Sequence, residues 1–210
     1  MTILPTKQNV DNIVKTLARY HGRKLTEEQL TDLLFEAYKK TGERKATKDG
    51  FRTTYRVVFH SWCLYKKSNH DRFHLTPLGL EYFHGSIDYI TLMRTICARW
   101  QYPKPQTHRQ PEGVLKPMVE LMNALNNLDQ KTGVKTLSLA EMNLFCCIMK
   151  SNEDTEMYVN MIESWRNKSW SPPNELNQIS LMNPIEGMFT LLKYADCMVS
   201  EGREGPYGLC

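Results

Sequence analysis

Residues 44–84 constrain the fold of this 210-residue chain more than any other segment. The first part is basic and carries an apolar stripe at helical spacing, made of Phe51, Tyr55, Val58, Phe59 and Trp62. Residues 63–75 then hold two short runs around a polar KSNHD tip, which is typical of a β-hairpin. Thr76 is a natural N-cap and Pro77 suits the first helical position, so a further helix is expected. Helix, hairpin and helix in this order indicate a winged helix.

Two amphipathic helices are predicted ahead of this segment. Apolar residues recur at helical spacing within residues 10–18. Thr26 and Gln29 have the spacing of a capping box, and apolar positions follow at helical spacing over residues 30–38. We therefore expect residues 1–85 to form one winged-helix subdomain, a helix-turn-helix with a β-hairpin wing.

Residues 86–182 are expected to form a helical subdomain that is interrupted by a Pro-rich loop at residues 102–117. Proline-rich sequence between two helical stretches indicates a loop, because proline disrupts a helix interior. Four helices are predicted in this subdomain, at Ser86–Trp100, from Pro117, after a Ser138–Glu141 capping box, and at Glu153–Lys168.

The last segment, residues 183–210, begins like a second winged helix. Asn183 is expected to cap a helix with Pro184 at its start, and residues 197–200 have strand character. EGREGPYG is a turn, after which the returning strand is barely present before Cys210. The predicted fold is therefore mainly α, with a winged helix, a helical subdomain and the start of a second winged-helix-like unit. The abrupt end also predicts that the chain is part of a longer protein.

Positive charge is concentrated between Lys39 and Arg72. Ten Lys or Arg residues and three acids give this stretch a net charge of +7, whereas the whole chain carries +4. Concentrated cationic charge on a helix and a hairpin is typical of a nucleic-acid partner. The sequence therefore predicts binding of double-stranded DNA, with the helix in the major groove and the wing on the backbone. A solvated basic face that binds nothing is the alternative for the same charges.

Thirteen polar side chains are the candidate DNA contacts. On the predicted recognition helix, the residues suited to base and phosphate contacts are Lys45, Lys48, Arg52, Thr53, Thr54 and Arg56. On the wing, the residues suited to phosphate or minor-groove contacts are Lys66, Lys67, Asn69, His70 and Arg72. Lys104 and Arg109 in the Pro-rich loop are additional candidates, although a solvated loop beside a packed Trp100 is the alternative.

The residues specify no catalytic site. P-loop, GxGxxG, GxSxG and HExxH motifs are absent, and no carboxylates stand in a D…(D/E)xK arrangement. The His residues form no metal-ligand set and the six cysteines show no CxxC spacing, so neither a metal nor a cofactor is expected in this chain. Cysteines inside apolar runs favour a reduced, cytoplasmic compartment, and neither a secretory signal nor a membrane span is expected.

Four stretches carry a family resemblance. They are the basic helix before the wing, RFHLTPLGLEYFHG, ITLMRTICARWQYP and LSLAEMNLFCCIM. In them the chain resembles the N-terminal DNA-recognition region of AlwI-like type IIS restriction endonucleases, a group that includes strand-specific nicking endonucleases. Trp100, Gln101, Tyr102 and Pro103 stand together as the family's WQYP does, which is the most specific match. The similarity extends over residues 15–200.

The resemblance implies a winged-helix-containing region that recognises a short asymmetric duplex site as a monomer. In that family a separate C-terminal nuclease domain, metal-dependent and of the PD-(D/E)xK kind, cuts a few base pairs away. This chain departs from the family by lacking such a domain, so Mg²⁺ is expected only for a nuclease domain or subunit in the complete protein. The resemblance therefore supports site recognition by these residues and not cleavage.

Two functions of other classes remain open from the sequence. One is a winged-helix transcriptional regulator with a helical dimerisation half, which would bind an operator of two-fold symmetry as a dimer. The other is a protein-interaction module in which the winged helix docks a partner protein. Binding to DNA that does not depend on salt would favour the second.

Overall fold

The computed structural model describes residues 6–39, 48, 64–68, 72–101, 115–173, 182–200 and 206–210. Within these ranges the chain is mainly helical, with eight α-helices and five short strands, as the sequence predicts. It divides into two compact units, residues 1–96 and 97–210. None of the described helices is both long and apolar enough to cross a lipid bilayer.

The first unit begins with two helices and continues into a hairpin. Its elements are α1 (Lys7–Arg19), α2 (Glu27–Lys39), β1 (Tyr65–Lys67), β2 (Phe73–Leu75), α3 (Pro77–Phe83) and most of α4 (Tyr89–Arg99). These elements lie where the sequence predicts them, except that α4 begins at Tyr89 and not at Ser86. The reason is a cap, because the Asp88 carboxylate accepts the backbone N–H of Thr91 at 2.7 Å.

Local capping sets the ends of the first two helices. The Thr6 hydroxyl accepts the Asn9 N–H at the start of α1. At the start of α2, Thr26 and Gln29 bond reciprocally, at 3.1 Å and 2.9 Å, which confirms the predicted capping box. The apolar face of each helix is buried in the core of this unit, through Val10, Ile13, Val14, Leu17, Leu30 and Leu34.

A third extended segment joins the hairpin. β1 and β2 pair antiparallel, and Lys24 forms a β-bridge with Arg72 at the beginning of β2. The lateral order is therefore the Lys24 segment, β2 and β1, so that the last strand in sequence lies in the middle. The sequence predicts the hairpin but not this bridge, since one bridged residue has no periodicity.

Helix α3 closes tightly against the hairpin. Thr76 accepts the Gly79 N–H at 3.2 Å and Pro77 occupies the first turn, as predicted. A Cβ atom placed on Gly79 would lie 2.5 Å from the Leu64 carbonyl oxygen. Glycine is therefore required at this position by close approach of the backbone and not by an unusual dihedral angle.

The second unit combines four helices with a small sheet in its described residues. Its elements after α4 are α5 (Pro117–Thr132), β3 (Thr136–Leu137), α6 (Leu139–Ile148), a 3₁₀ turn (Asn152–Asp154), α7 (Thr155–Arg166), α8 (Met182–Tyr194), β4 (Met198–Ser200) and β5 (Tyr207–Leu209). The Ser138–Glu141 capping box is confirmed. Asn183 does not precede the last helix as predicted, since α8 begins at Met182. Pro184 lies within the first turn of α8, where its missing backbone N–H is not needed for a helical hydrogen bond.

The sheet of the second unit has the order β3–β5–β4, with both pairs antiparallel. β5 is thus a complete returning strand, although the sequence led us to expect it barely present, and β3 was not predicted. The division into segments 1–85, 86–182 and 183–210 remains a prediction from the sequence. Because β5 pairs with β3, the last residues share a sheet with residues 136–137.

Arg166 connects the helices of the second unit to this sheet. Its Nε lies 2.7 Å from Glu141 Oε1, and one terminal nitrogen donates to the Thr136 carbonyl at 2.6 Å. Tyr158, which is fully buried, donates to the Glu141 carbonyl at 3.0 Å. Burial and the Glu141 charge raise the pKa of Tyr158 well above its usual value, so this hydroxyl stays a donor.

Among the described residues, the two units share one strand order. In the first, α1 is followed by the Lys24 segment, then α2 and the β1–β2 hairpin. In the second, α5 is followed by β3, then three helices and the β4–β5 hairpin. In each case the early segment pairs with the last strand, which occupies the centre. No repeat is visible in the sequence.

Candidate nucleic-acid interface

The β1–β2 hairpin presents basic side chains on both of its faces. Lys66 stands opposite His74, and Lys67 stands opposite Phe73. Tyr65 and Phe73 are buried, with ring centres 5.1 Å apart, whereas Lys66 is exposed. Because side chains alternate along a strand, Lys66 and His74 share the outer face and Lys67 lies on the other.

The loop between α1 and α2 fixes the position of the hairpin. The Gly22 N–H donates to the Phe73 carbonyl at 2.7 Å, and the Phe73 N–H donates to the Arg23 carbonyl at 2.8 Å. Arg72 Nη1 donates to the Gly22 carbonyl at 3.0 Å. The hairpin is therefore held by backbone bonds at its second strand and by one side-chain bond close to its tip.

This docking brings two cations to the hairpin that the sequence analysis did not select. Arg23 and Lys24 are both exposed, and Lys24 is bridged to Arg72. The guanidinium carbon of Arg23 lies 5.4 Å from the centre of the Tyr20 ring, a cation–π distance. In the sequence, Arg23 and Lys24 are visible only as a basic pair directly after Gly22. Their place beside the hairpin depends on the pairing of Lys24 with Arg72, which is distant in the chain.

Helix α2 contributes acidic partners to two of the predicted DNA contacts. Lys48 Nζ lies 2.6 Å from Asp32 Oδ1 and 3.9 Å from Glu28 Oε1. Lys67 Nζ lies 3.6 Å from Glu27 Oε1. All five side chains are about one-third exposed or more, so these are surface ion pairs. The predicted interface is therefore not purely cationic at these positions.

Four of the thirteen predicted contact residues lie within the described residues. Lys48, Lys66, Lys67 and Arg72 each have a solvent-accessible side chain, and the last three belong to the hairpin or its edge. The other nine predicted contacts lie outside the described residues and remain sequence predictions: Lys45, Arg52, Thr53, Thr54, Arg56, Asn69, His70, Lys104 and Arg109.

A hydrogen bond joins α1 and α3 within the first unit. The Tyr82 hydroxyl donates to Asp11 Oδ1 at 2.5 Å, and Lys7 Nζ lies 2.8 Å from the other carboxylate oxygen. Partial burial opposes ionisation of Asp11, but the bonds from Lys7 and Tyr82 and the charges of Lys7 and Lys15 hold its pKa below the usual value. Burial, with the Asp11 bond, raises the pKa of Tyr82. The carboxylate is therefore the stable form, and α3 is tied to α1.

No group of three His, Cys, Asp or Glu side chains that could hold a metal ion occurs among the residues that the structure describes. What the described surface offers is a basic hairpin with exposed ammonium and guanidinium groups, which suit phosphate oxygens.

The fold is shared with a solved protein domain. The structure superposes on the BpuJ1 endonuclease binding domain, solved in complex with pyrene- and phenanthrene-modified DNA, with a TM-score of 0.68 and 11% sequence identity. The superposition covers 100% of this chain and 80% of that one. At this identity the likeness establishes a shared fold.

The sequence itself identifies the family. The AlwI restriction endonuclease family matches residues 63–184, more than half of the chain, and the chain belongs to this family. This finding confirms the family resemblance of three segments, RFHLTPLGLEYFHG, ITLMRTICARWQYP and LSLAEMNLFCCIM. No curated protein matches the sequence.

Proposed function

We propose that this chain is the target-recognition region of a type IIS restriction or nicking endonuclease and binds a short asymmetric site in double-stranded DNA. Membership of the AlwI family carries this proposal. The fold shared with an endonuclease binding domain that was crystallised with DNA supports it further. A dimeric regulator and a protein-docking module have no comparable support.

The basic hairpin supplies the backbone contacts in this proposal. Lys66 and Arg72 are exposed on it, and Arg23 and Lys24 extend the charge along the neighbouring loop. Contacts to phosphate set register and affinity without distinguishing sequence. The wing therefore contributes the same binding free energy for every duplex sequence.

Base recognition is assigned to the predicted helix that contains Arg52, Thr53, Thr54 and Arg56. Arginine can bond both acceptors of guanine in the major groove, which discriminates it from other bases. Replacing Arg52 with Ala should cost about 1–3 kcal/mol of binding and relax the preference at one base pair, if that residue contacts a base. This assignment rests on the sequence alone.

The shared strand order supports a role in DNA binding for both units. The β4–β5 hairpin of the second unit corresponds in strand order to the β1–β2 hairpin of the first. Two winged-helix-like modules would together contact a longer stretch of duplex than one. DNA cutting is left to a metal-dependent nuclease domain or subunit, as the family resemblance implies.

Selection of bound duplexes from a random pool at physiological salt tests this function. The expected product is one short motif without two-fold symmetry, bound by a monomer. A palindromic motif bound by a dimer would favour a regulator. Enrichment of no sequence, with binding that does not respond to salt, would contradict the proposal.

A further inference from the structure

The exposed lysines of the interface are not equally available to a polyanion. Asp32 lies 2.6 Å from the Lys48 ammonium and Glu28 lies 3.9 Å from it, so two carboxylates face one cation. Glu27 lies 3.6 Å from Lys67 on the hairpin. A single helix, α2, thus places acids against cations from two separate parts of the predicted interface.

Helical geometry explains how one helix serves both lysines. Glu28 and Asp32 are four residues apart and therefore lie on the same face of α2. Glu27 is the neighbouring residue and points in an adjacent direction, towards the hairpin. Glu27 and Glu28 are in the first turn, where the helix dipole favours negative charge. The helix dipole therefore stabilises the charged form of Glu27 and Glu28, the two first-turn carboxylates that face the lysines.

The ion pairs contribute little to holding the fold. The side chains of Lys48, Glu28 and Asp32 are 49%, 82% and 47% exposed, and solvent screens such pairs strongly. Their main physical effect is to lower the positive electrostatic potential around Lys48 and Lys67. A phosphate that approaches Lys48 competes with Asp32 for the ammonium group and is repelled by the Asp32 and Glu28 carboxylates.

We propose that Glu27, Glu28 and Asp32 set the affinity for DNA by competing with phosphates for Lys48 and Lys67. This inference rests on the proposed function, because it requires that the lysines meet a duplex. The cost of displacing the carboxylates is the same for every sequence, since phosphate contacts carry no sequence information. The acids therefore lower affinity for all duplexes and leave the sequence preference unchanged. They accelerate release from every duplex, with or without the site.

The test compares the whole chain with the triple variant Glu27→Gln, Glu28→Gln, Asp32→Asn, which removes the charges and keeps the side-chain shapes. The matched control is Glu36→Gln, on the same helix and 65% exposed, whose partner is Lys39 and not an interface lysine. Equilibrium binding to a duplex of roughly 25 base pairs and random sequence is measured between about 50 and 200 mM salt.

The triple variant should bind on the order of tenfold more tightly at the lowest salt, because three surface charge interactions are removed. Its plot of log affinity against log salt should be steeper by roughly 1 to 2, as two lysines gain phosphate contacts. Asp32→Asn alone should show part of the same change. The melting temperature, measured alongside, verifies that each variant is folded.

Equal affinity and equal slope for the triple variant, Asp32→Asn and the Glu36→Gln control would overturn this inference while leaving the proposed function intact. If the unmodified chain itself binds the duplex with no dependence on salt, the proposed function fails, and the inference fails with it. A triple variant that binds only its selected site more tightly, and not random duplexes, would also overturn the sequence-independent competition.

Discussion

The Arg72 guanidinium donates a hydrogen bond to the Gly22 carbonyl at 3.0 Å, so a charged residue at the edge of the β1–β2 hairpin also connects this hairpin to the α1–α2 loop. Its neighbour in sequence, Phe73, exchanges two backbone bonds with the same loop. Arg72 therefore combines two roles, because it positions the hairpin and adds positive charge to it.

Replacing Arg72 with Ala should loosen the wing and weaken duplex binding together. The lost bond lies at an exposed site, so stability should fall by no more than about 1 kcal/mol. Amide hydrogen exchange at Gly22 and Phe73 should become faster. Lys66→Ala is the matched control, because it removes a wing charge on the outer face without touching the loop. That variant should weaken binding with exchange unchanged, and faster exchange in both variants would contradict the separate roles.

Gly79→Ala should destabilise the first unit. The new Cβ would lie 2.5 Å from the Leu64 carbonyl oxygen and 3.0 Å from a Leu75 methyl group, so the α3–hairpin contact must open. Overpacking of this kind costs about 1–3 kcal/mol, measured by urea unfolding. Gly187→Ala is the control, since a Cβ atom placed on that helical glycine would have no atom within 4 Å. It should be neutral or stabilise slightly. Equal effects of the two would argue against the close approach.

Tyr82→Phe should lower the free energy of unfolding and make that free energy depend less on pH in the acid range. The folded state holds the Asp11 pKa below the usual 3.8, so its contribution is present above pH 3.8 and is lost as the pH falls through the lower folded value. Removing the Tyr82 hydroxyl takes away one cause of that shift and should cost about 1 kcal/mol at neutral pH. Urea unfolding between neutral and acid pH measures both effects. In an Asp11→Asn background the Tyr82 change should have no acid-dependent part, and a persistent one would contradict the assignment.

Arg166→Ala should strongly destabilise the second unit. It leaves Glu141, whose side chain is 10% exposed, without its ionic partner and removes the bond to the Thr136 carbonyl. Breaking a largely buried pair in this way costs about 3–5 kcal/mol, and partial exposure places the expected loss at the lower end. Lys131→Ala is the control, because the contacts of Lys131 with Asn160 at 2.8 Å and with Glu163 at 3.9 Å both lie at an exposed site. It should change stability by less than about 0.5 kcal/mol. Similar losses for the two variants would contradict a structural role for Arg166.

Features set by neighbouring residues were predictable from the sequence. The capping boxes at Thr26 and Ser138 and the Thr76–Pro77 helix start depend on residues no more than three apart, and all three are confirmed. The hairpin was predictable too, since its alternation and polar tip are local.

Features set by distant pairing were not predictable. β3 has two residues and no detectable period, and it becomes a strand only by pairing with β5 near the end of the chain. The Lys24 bridge is of the same kind. Lys66 and Lys67 were predicted as DNA contacts because they lie in the basic hairpin sequence itself. Arg23 and Lys24 were missed because only the pairing of Lys24 with Arg72 brings them beside the hairpin.

The acidic partners of the interface escaped prediction for a related reason. Net charge counted along the segment between Lys39 and Arg72 excludes Glu27, Glu28 and Asp32, which lie earlier in the chain and approach Lys48 and Lys67 only after folding. The charge of a surface depends on which helices border it. A count along the sequence therefore overstated how cationic the described part of this surface is.

The most direct measurement of the central claim is the affinity of the chain for its selected duplex and for a scrambled duplex of equal length, across a series of salt concentrations. Sequence recognition predicts that the selected duplex binds at least about 10³-fold more tightly at physiological salt. If about five to seven phosphates are contacted, the log–log slope should be near −5 to −6. Lys66→Ala should weaken both duplexes by the same factor. Equal affinity for the two duplexes, or a slope near zero, would contradict the account.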